Sequence, residues 1–350
     1  MIRLHASLSP GEMRVAAWDG VRLHDIALWR DAAPDGVGNL HRGRVIARVP
    51  AMAGCFVALE DGVEGFLPDS DGAEDAGCVL GVRITRAAQG GKGPRLSARL
   101  GEADQALIGT GSPALIRRGP DALARMQALY PAAPGPITTF PPELEDAWDA
   151  LSQPSADLPG GARMHIHPTP ALTAIDIDLG SATAERSGKA HSQAQANRTL
   201  LPELARQIRL RNLSGAILVD LGGMAAKKRA SLAPDFIAAL ATDKLKPRFL
   251  GFTQLGLAEI VRPRVHPPLH ELLNTPHAHG LAALRRLVRE TDVAPHRALV
   301  LHASAEIAES LRRDSAAQDG VFARTGRDLI IIEHRDWPSG RSRIEEAMRG

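Results

Sequence analysis

The stretch ALTAIDIDLGS, residues 171–181, places two carboxylates in an otherwise apolar strand. Successive side chains of an extended chain alternate faces, so Asp176 and Asp178 share one face while the apolar residues between them share the other. Two like charges held this close repel each other unless a cation lies between them. The spacing therefore points to a cation site.

A third acid lies at the end of the next apolar strand. Asp220 ends the run AILVD and is followed closely by Gly222 and Gly223, at the kind of strand end where α/β sheets place their ligands. If the two strands are neighbours, Asp176, Asp178 and Asp220 converge, and magnesium commonly takes one or two carboxylates with waters and substrate phosphates. Aspartates at strand ends also serve as caps and turn residues, so a purely structural role stays open.

The chain that must position these acids has 350 residues, enough for two or three compact domains. Hydrophobic residues make up 44% and charged residues 23%, as in ordinary globular proteins, and no run of about 18 apolar residues offers a membrane span. The N-terminus lacks an apolar signal-peptide core, which predicts cytoplasmic residence. Cys55 and Cys78 are the only cysteines, which excludes a disulfide framework and a four-cysteine zinc site. The net charge of +2 leaves nucleic-acid binding to local basic patches.

Short strands dominate the first hundred residues. Residues 13–29 predict a hairpin around Asp19-Gly20, and five short strands within residues 39–100 predict a small Greek-key barrel of the OB type. Residues 101–160 are rich in Gly, Pro and Ala and predict loops with short helices.

The second half alternates strands with helices. ARMHI and LTAIDID predict strands, the helical spacing of Leu201 and Ile208 predicts an amphipathic helix, and AILVDL predicts another strand. Strand, long helix and strand are the rhythm of an α/β layer. Further helices near 228–242 and 280–290 precede a last strand in DLIIIEH, and the prolines between those helices predict a boundary near residue 265.

Several long motifs of the chain resemble the catalytic half of the bacterial ribonuclease E/G family. The motifs are MRVAAWDGVRLHDIAL, NLHRGRVIARVPAMAGCFVALEDGVEGFLPDSD, TPALTAIDIDLGSATA and ARQIRLRNLSGAILVDLGGM, in the family's order. The resemblance implies an endoribonuclease that cuts single-stranded RNA with Mg²⁺, for which Mn²⁺ can substitute. It also implies a multidomain fold of the α+β and α/β type, with an RNase H-like part interrupted by an OB-fold RNA-binding barrel and followed by a DNase I-like domain.

This resemblance divides the chain into five segments and suggests a compact, reduced member of the family. The segments are the N-terminal part of the RNase H-like domain (residues 1–38), the OB-fold RNA-binding domain (39–100), a trimmed RNase H-like remainder with a linker (101–160), the DNase I-like catalytic domain (161–265) and a small C-terminal α/β domain (266–350).

The resemblance also assigns roles to individual acids. Asp176 and Asp220 fall on the family's two metal-binding aspartates. Asp178 falls where the family usually has a catalytic asparagine, and Gly223 falls where it has a further aspartate, so the chain departs from the family at both positions. A magnesium ion held there would lower the pKa of a bound water and neutralise charge developing on the phosphate.

Candidate RNA contacts lie in and just after the barrel. Phe56 and Phe66 match family aromatics that stack on bases, and Lys92 matches a lysine that faces RNA, although core packing is an alternative for the phenylalanines. Arg118 matches the arginine that binds a 5′ monophosphate, with Gly119 in place of the threonine that follows it; a plain surface charge is the alternative. Lys92 stands in a basic cluster, for which a solvated face is the alternative, together with Arg83, Arg86, Arg95 and Arg99.

The family joins its subunits through zinc held by two cysteines after the catalytic domain, and no cysteine lies beyond Cys78. We therefore expect a monomer or a dimer and no zinc-linked tetramer. Four loosely spaced histidines do occupy that region, but their spacing does not predict a zinc site. They are His266, His270, His277 and His279.

The sequence leaves three functions open. The first, which we favour because both Asp176 and Asp220 are retained, is a magnesium-dependent endoribonuclease acting on single-stranded RNA in RNA processing or decay. The second is an RNA-binding protein that has kept the barrel and lost turnover. The third is a metal-dependent phosphodiesterase or DNase that uses the same acids.

Overall fold

A computed structural model describes residues 1–180 and 189–346, and within these residues the chain forms eighteen β-strands and ten α-helices. The strands are β1 (Arg3–Ser9), β2 (Glu12–Trp18), β3 (Leu23–Trp29), β4 (Leu40–Val49), β5 (Gly54–Ala58), β6 (Glu64–Pro68), β7 (Val79–Arg86), β8 (Arg95–Ser97), β9 (Ala114–Arg117), β10 (Ser155–Leu158), β11 (Ala162–Pro168), β12 (Leu172–Asp178), β13 (Gly215–Asp220), β14 (Arg248–Phe252), β15 (Ala258–Arg262), β16 (Leu299–Ser304), β17 (Ile331–His334) and β18 (Ser342–Glu346). The helices are α1 (Glu102–Ile108), α2 (Ala122–Leu129), α3 (Pro142–Asp149), α4 (Lys189–Leu210), α5 (Ala226–Arg229), α6 (Ala233–Leu240), α7 (Leu269–Leu273), α8 (Pro276–Val293), α9 (Ala305–Arg312) and α10 (Ser315–Thr325).

The protein is a mixed α+β chain that divides into two compact units. One unit combines Met1–Pro34, Asp121–Glu145 and His270–Gly350, and the other combines Asp35–Pro120 with Asp146–Leu269. The chain leaves the first unit and returns to it twice, and the division into five segments stays a prediction. Their RNase H-like and DNase I-like character stays a prediction.

The first unit holds two small sheets. Strands β1, β2 and β3 form an antiparallel meander whose inner face packs against α2, and the predicted hairpin of residues 13–29 is confirmed as β2 and β3. In the second sheet β16 lies between β17, which runs parallel to it, and antiparallel β18. Helices α8, α9 and α10 supply the core against that sheet. The predicted helix near 280–290 is confirmed as part of α8, and the last predicted strand as β17.

The second unit begins with a closed five-stranded barrel, which confirms the small barrel predicted from residues 39–100. Strands β5, β6, β8, β7 and β4 follow one another, β4 also pairs with β5 to close the ring, and β9 adds to β4. A register shift after Val45 bends β4, which pairs with β7 along its first half and with β5 along its second half. The interior is filled by alternating apolar residues such as Val57, Leu67 and Leu96. The architecture is consistent with an OB fold.

A six-stranded sheet completes the second unit, in the order β10-β11-β12-β13-β15-β14. Strands β12 and β13 are parallel and the other neighbours are antiparallel, so β12, α4 and β13 form the strand–helix–strand unit predicted from the sequence. Alternate residues such as Ile175 and Ile177 point into a core formed with α4 and α6. The helix predicted near 228–242 is divided into α5 and α6, with Pro234 in the first turn of α6 where its missing N–H costs nothing.

No helix in the described ranges is long and apolar enough to cross a membrane.

Candidate functional site

Asp176 and Asp220 lie side by side at the ends of two parallel strands. The register of β12 and β13 pairs Asp176 with Asp220, and neighbouring strands are about 4.8 Å apart. Both side chains are exposed, on the face of the sheet opposite the helix-covered core. The two strands are therefore neighbours, as convergence of these two acids required.

Asp178 shares the face of the pair but has a local partner. Its Oδ1 accepts a hydrogen bond of 2.8 Å from the backbone N–H of Gly180, which is the behaviour of an aspartate in a turn. Its register partner on β11 is Arg163, whereas β13 ends at Asp220, two residues before the position that would pair with Asp178. Asp178 thus stands at the edge of the pair rather than between its members.

The carboxylate of Asp220 is held by a buried guanidinium that the sequence did not single out. Nη1 of Arg229 donates to Oδ1 of Asp220 at 2.7 Å and to the carbonyl of Gly256 at 2.9 Å. Nη2 donates to the Leu221 carbonyl at 2.7 Å and Nε to the Met224 carbonyl at 3.0 Å. The Arg229 side chain is 11% exposed and that of Asp220 is 52% exposed. One oxygen of Asp220 is therefore fixed, while the carboxylate as a whole still faces solvent.

The loop after Asp220 is also held from helix α4. Asn197 is fully buried and donates to the Gly222 carbonyl at 3.1 Å and to the Gln193 carbonyl at 2.8 Å. Gly223 has a φ of +72°, and a Cβ added there would lie 2.9 Å from the side-chain nitrogen of Gln193. An aspartate at position 223 would be strained in this backbone, which favours glycine there.

His165 extends the row of the acid pair by one strand. It is the register partner of Asp176 on β11 and is partly exposed. The pattern of ARMHI predicts only a strand, although its alternation places His165 on the acid face once β11 pairs with β12. Arg229 had no comparable signal, since it follows Asp220 by nine residues and reaches it only through the folding of the intervening loop and α5.

The oxygen donors of the acid pair fit magnesium with few protein ligands. Within residues 1–180 and 189–346 no group of three or more His, Cys, Asp or Glu side chains is placed to hold a metal. Asp176 and Asp220 are two exposed carboxylates in register, which is a donor set that Mg²⁺ uses when waters and substrate phosphates complete its coordination.

The histidines near residue 265 have other partners. Nδ1 of His266 lies 2.6 Å from a carboxylate oxygen of Asp35, and Nε2 of His277 lies 2.7 Å from a carboxylate oxygen of Asp314. Burial lowers the pKa of His270, against a smaller opposing effect of Glu271. The carboxylate contacts of His266 and His277 indicate structural roles for these two side chains.

Phe56 and Phe66 form an aromatic pair outside the barrel core. They are register partners on β5 and β6, with ring centroids 5.6 Å apart at an interplanar angle of 65°. Their chain neighbours Cys55, Val57 and Leu67 point into the core, so both rings are only partly buried on the outer face. Alternation along the strand thus argues against the core alternative, and the rings are placed where bases could stack.

Lys92 lies in the turn before the segment that bonds to Phe66, and the basic cluster around it is not uniform. The exposed Lys92 belongs to the turn that leads into β8, and the backbone N–H of Phe66 donates to the Pro94 carbonyl of the same segment at 2.9 Å. Arg83 forms an ion pair with Asp104, which gives it a structural role. The cluster seen in the sequence is not one uniform surface.

Arg118 is exposed immediately after β9, whereas its neighbour Arg117 pairs with Asp104 at 2.5 Å. Gly119 lies against the preceding backbone: a Cβ there would be 2.3 Å from the Val37 carbonyl oxygen. A threonine cannot stand at this position without moving the chain. The backbone at this position therefore favours glycine.

Together the fold and the acid pair define a multidomain α+β protein in which a closed barrel with partly exposed aromatics shares one unit with a carboxylate-bearing sheet. A sequence model of the Ribonuclease E/G family matches residues 136–265, the segment that contains Asp176 and Asp220. This match confirms, for that segment, the resemblance to the ribonuclease E/G family.

Curated relatives agree with this assignment. Over 143 residues the chain is 36% identical to a ribonuclease E of Nostoc sp., a match that covers 40% of this chain and 21% of the relative. It is 38% identical over 125 residues to a ribonuclease E of Synechocystis sp., covering 35% of this chain and 18% of the relative. It is 28% identical over 182 residues to a ribonuclease G of Haemophilus influenzae, covering 48% and 37%. The chain therefore matches well under half the length of each of these relatives.

Proposed function

We propose that this protein is a magnesium-dependent endoribonuclease that cleaves single-stranded RNA in cytoplasmic RNA processing or decay. The observation that carries the proposal is the register pairing of Asp176 with Asp220 on an exposed sheet face, within the segment that matches the family. The partly exposed Phe56 and Phe66 support the RNA substrate, because stacking on aromatic rings tolerates any base sequence.

Asp176 and Asp220 are the residues that would hold the metal, and Mn²⁺ should replace Mg²⁺ because both prefer oxygen ligands. Bound there, the ion would activate a water and offset charge on the scissile phosphate. The chain's own contribution is positioning: the sheet fixes the separation of the acids, and Arg229 fixes the carboxylate of Asp220. Asp178, bonded to the turn, is proposed to orient water beside the pair.

The test is cleavage of a single-stranded RNA oligonucleotide, with and without Mg²⁺, by the wild type and by D176N and D220N, with RNA binding measured in parallel. Because the ion stabilises charge that develops only during reaction, each substitution should lower the cleavage rate by about 10³-fold or more and leave RNA affinity within a few-fold. Internal cleavage that persists in both variants, or without any divalent metal, would refute the assignment of the acids.

A 5′-monophosphorylated and a 5′-hydroxyl RNA should be compared in the same assay. If Arg118 binds the terminal phosphate, as we propose, the monophosphorylated RNA is cut faster and R118Q removes only that preference. Equal rates for the two RNAs in the wild type would show that this end is not sensed.

A second candidate, a non-catalytic RNA-binding protein, is favoured by one observation: Arg229 already neutralises Asp220, which weakens the demand for a metal ion. Salt-sensitive RNA binding with no cleavage by the wild type would select it. A single-stranded DNA of the same sequence, included as substrate and as competitor, separates the phosphodiesterase or DNase alternative, since that activity would cut the DNA.

A further inference from the structure

Two aromatic rings and two guanidinium groups occupy one continuous row across the barrel strands. Phe56 is the register partner of Phe66, Phe66 of Arg95, and Arg95 of Arg86. A register shift between Ile84 and Arg86 changes the alternation of β7, so that Arg86 joins Arg95 while Ile84 stays in the core. The row therefore runs from a base-stacking pair directly to two positive charges.

A third arginine joins the row from the acid-bearing sheet of the same unit. The backbone N–H of Ala87, which follows Arg86, donates to the carbonyl of Val265 at 2.8 Å and ties the end of β7 to the segment after β15. Arg264 precedes Val265 and packs its guanidinium against Gly215, where an added Cβ would lie 2.3 Å from a guanidinium nitrogen. Because Gly215 has no side chain, the guanidinium of Arg264 can lie against the start of β13.

These three charges are poorly neutralised by the protein. In the described part of the chain, the side chains of Arg86 and Arg264 form no ion pair or hydrogen bond, and Arg95 has only a 3.4 Å contact with Asp71. Nε of Arg86 is buried and has no hydrogen-bond partner among the described residues. Burial, and then the charges of Arg95 and Arg264, lower the pKa of Arg86. Buried donors are rarely left without a partner in native proteins, and like charges rarely gather without an anion.

We propose that Arg86, Arg95 and Arg264 form a phosphate-binding site for the backbone of single-stranded RNA whose bases stack on Phe56 and Phe66. The ligand class is a phosphodiester anion, and the proposal rests on the RNA substrate of the proposed function. Guanidinium groups suit this ligand because they present several donors in a plane. Arg83 on the same strand differs from these three arginines, because it already forms an ion pair with Asp104.

The site also has a defined relation to the acid pair. Arg264 lies against Gly215 at the first residue of β13, and Asp220 is the last of the six residues of that strand. At about 3.3 Å per residue the two ends are about 17 Å apart. RNA held by the arginines is thereby anchored at a distance from the cleavage site, which predicts a role in affinity rather than in the chemical step.

The experiment measures the affinity of the protein for a 5′-hydroxyl single-stranded RNA, without divalent metal, over a series of KCl concentrations. Each phosphate contact contributes about 0.7 to the slope of log affinity against log salt for a single strand. R86Q and R264Q should each reduce that slope by about 0.7 and weaken binding about tenfold at low salt, equally for different base sequences. R86K keeps the charge and should keep the slope.

R83Q is the matched control, because it removes an arginine of the same strand whose charge is already paired; it should leave the slope unchanged. Thermal melts of every variant show whether a loss of affinity reflects unfolding. Wild-type slopes in R86Q and R264Q would overturn the site while leaving RNA binding intact. If the wild type binds RNA but never cleaves it, the endonuclease proposal fails. The arginine site is then still decided by the salt slopes of R86Q and R264Q. Absence of RNA binding by the wild type overturns both.

Discussion

Replacing Arg229 by lysine should weaken metal binding by Asp176 and Asp220, although the net charge of the protein does not change. Arg229 donates from three nitrogens to one carboxylate oxygen and three carbonyls, with distances between 2.7 and 3.0 Å. A single ammonium has three donors at one point and cannot reach acceptors arranged around a planar fork. R229K therefore keeps attraction for Asp220 but loses control of the orientation of its carboxylate.

The expected magnitude follows from those contacts. Losing two or three hydrogen bonds at about 1 kcal/mol each should lower the free energy of unfolding by about 2 to 3 kcal/mol. Partners that orient a metal-binding carboxylate typically account for about 10- to 100-fold in metal affinity or activity. We expect R229K to bind Mn²⁺ at least tenfold more weakly in the absence of RNA and to show a similar fall in kcat, with the KM for RNA nearly unchanged.

The matched control is R262K, at the opposite end of the same sheet. Arg262 is also buried and donates to Asp243 at 2.7 Å and to Asn212 at 2.6 Å, so its loss should cost similar stability. Its register partner is Gly215 rather than Asp220, so Mn²⁺ affinity should not change. Calorimetric titration of the RNA-free protein with Mn²⁺, together with thermal melts, separates the two effects. If R229K and R262K lose the same stability and both bind Mn²⁺ like the wild type, Arg229 only supports the loop and the reasoning is refuted.

Two further predictions concern the barrel and the first unit. F56A and F66A should each weaken single-strand RNA binding by about 1 to 3 kcal/mol in a metal-free titration, because each removes a stacking surface. In the first unit, burial alone would raise the pKa of Glu145, but hydrogen bonds and charges from Arg14 and Arg289 lower it below its ordinary value of 4.5. A lowered pKa gives stability that is present above that ordinary value and lost as the pH falls through the folded-state pKa. E145Q should therefore be less stable than the wild type by about 3 kcal/mol at pH 7, with the gap narrowing in denaturant titrations below about pH 4.5.

Each of these predictions has a matched control in the chain. Phe322 is 55% exposed on α10, and F322A should leave RNA affinity unchanged; weaker binding there would show that the effect at the barrel is not specific to stacking. Glu143 is exposed on the same helix as Glu145, and E143Q should follow the wild-type pH profile. A constant gap between E145Q and wild type from pH 7 to pH 3 would contradict the role given to Glu145.

The sequence could predict whatever depends on local pattern. The alternation of apolar and polar residues in LTAIDID and AILVDL is enough to place Asp176 and Asp220 on strands, and the turn chemistry of residues 39–100 is enough to predict a small barrel. Long motifs matched to a family added the pairing of the two acids. These inferences succeed because they require only strand periodicity and the order of elements along the chain.

Tertiary structure decided which side chains meet across the sequence. Only the parallel register of β12 and β13 sets Asp176 beside Asp220, and only the fold of the following loop brings Arg229 to the same carboxylate. The basic cluster looked uniform in the sequence, yet a register shift in β7 separates Arg83, which pairs with Asp104, from Arg86, which has no ion-pair partner among residues 1–180 and 189–346. Pairing of charges depends on distances between residues far apart in the chain, and local periodicity contains no information about those distances.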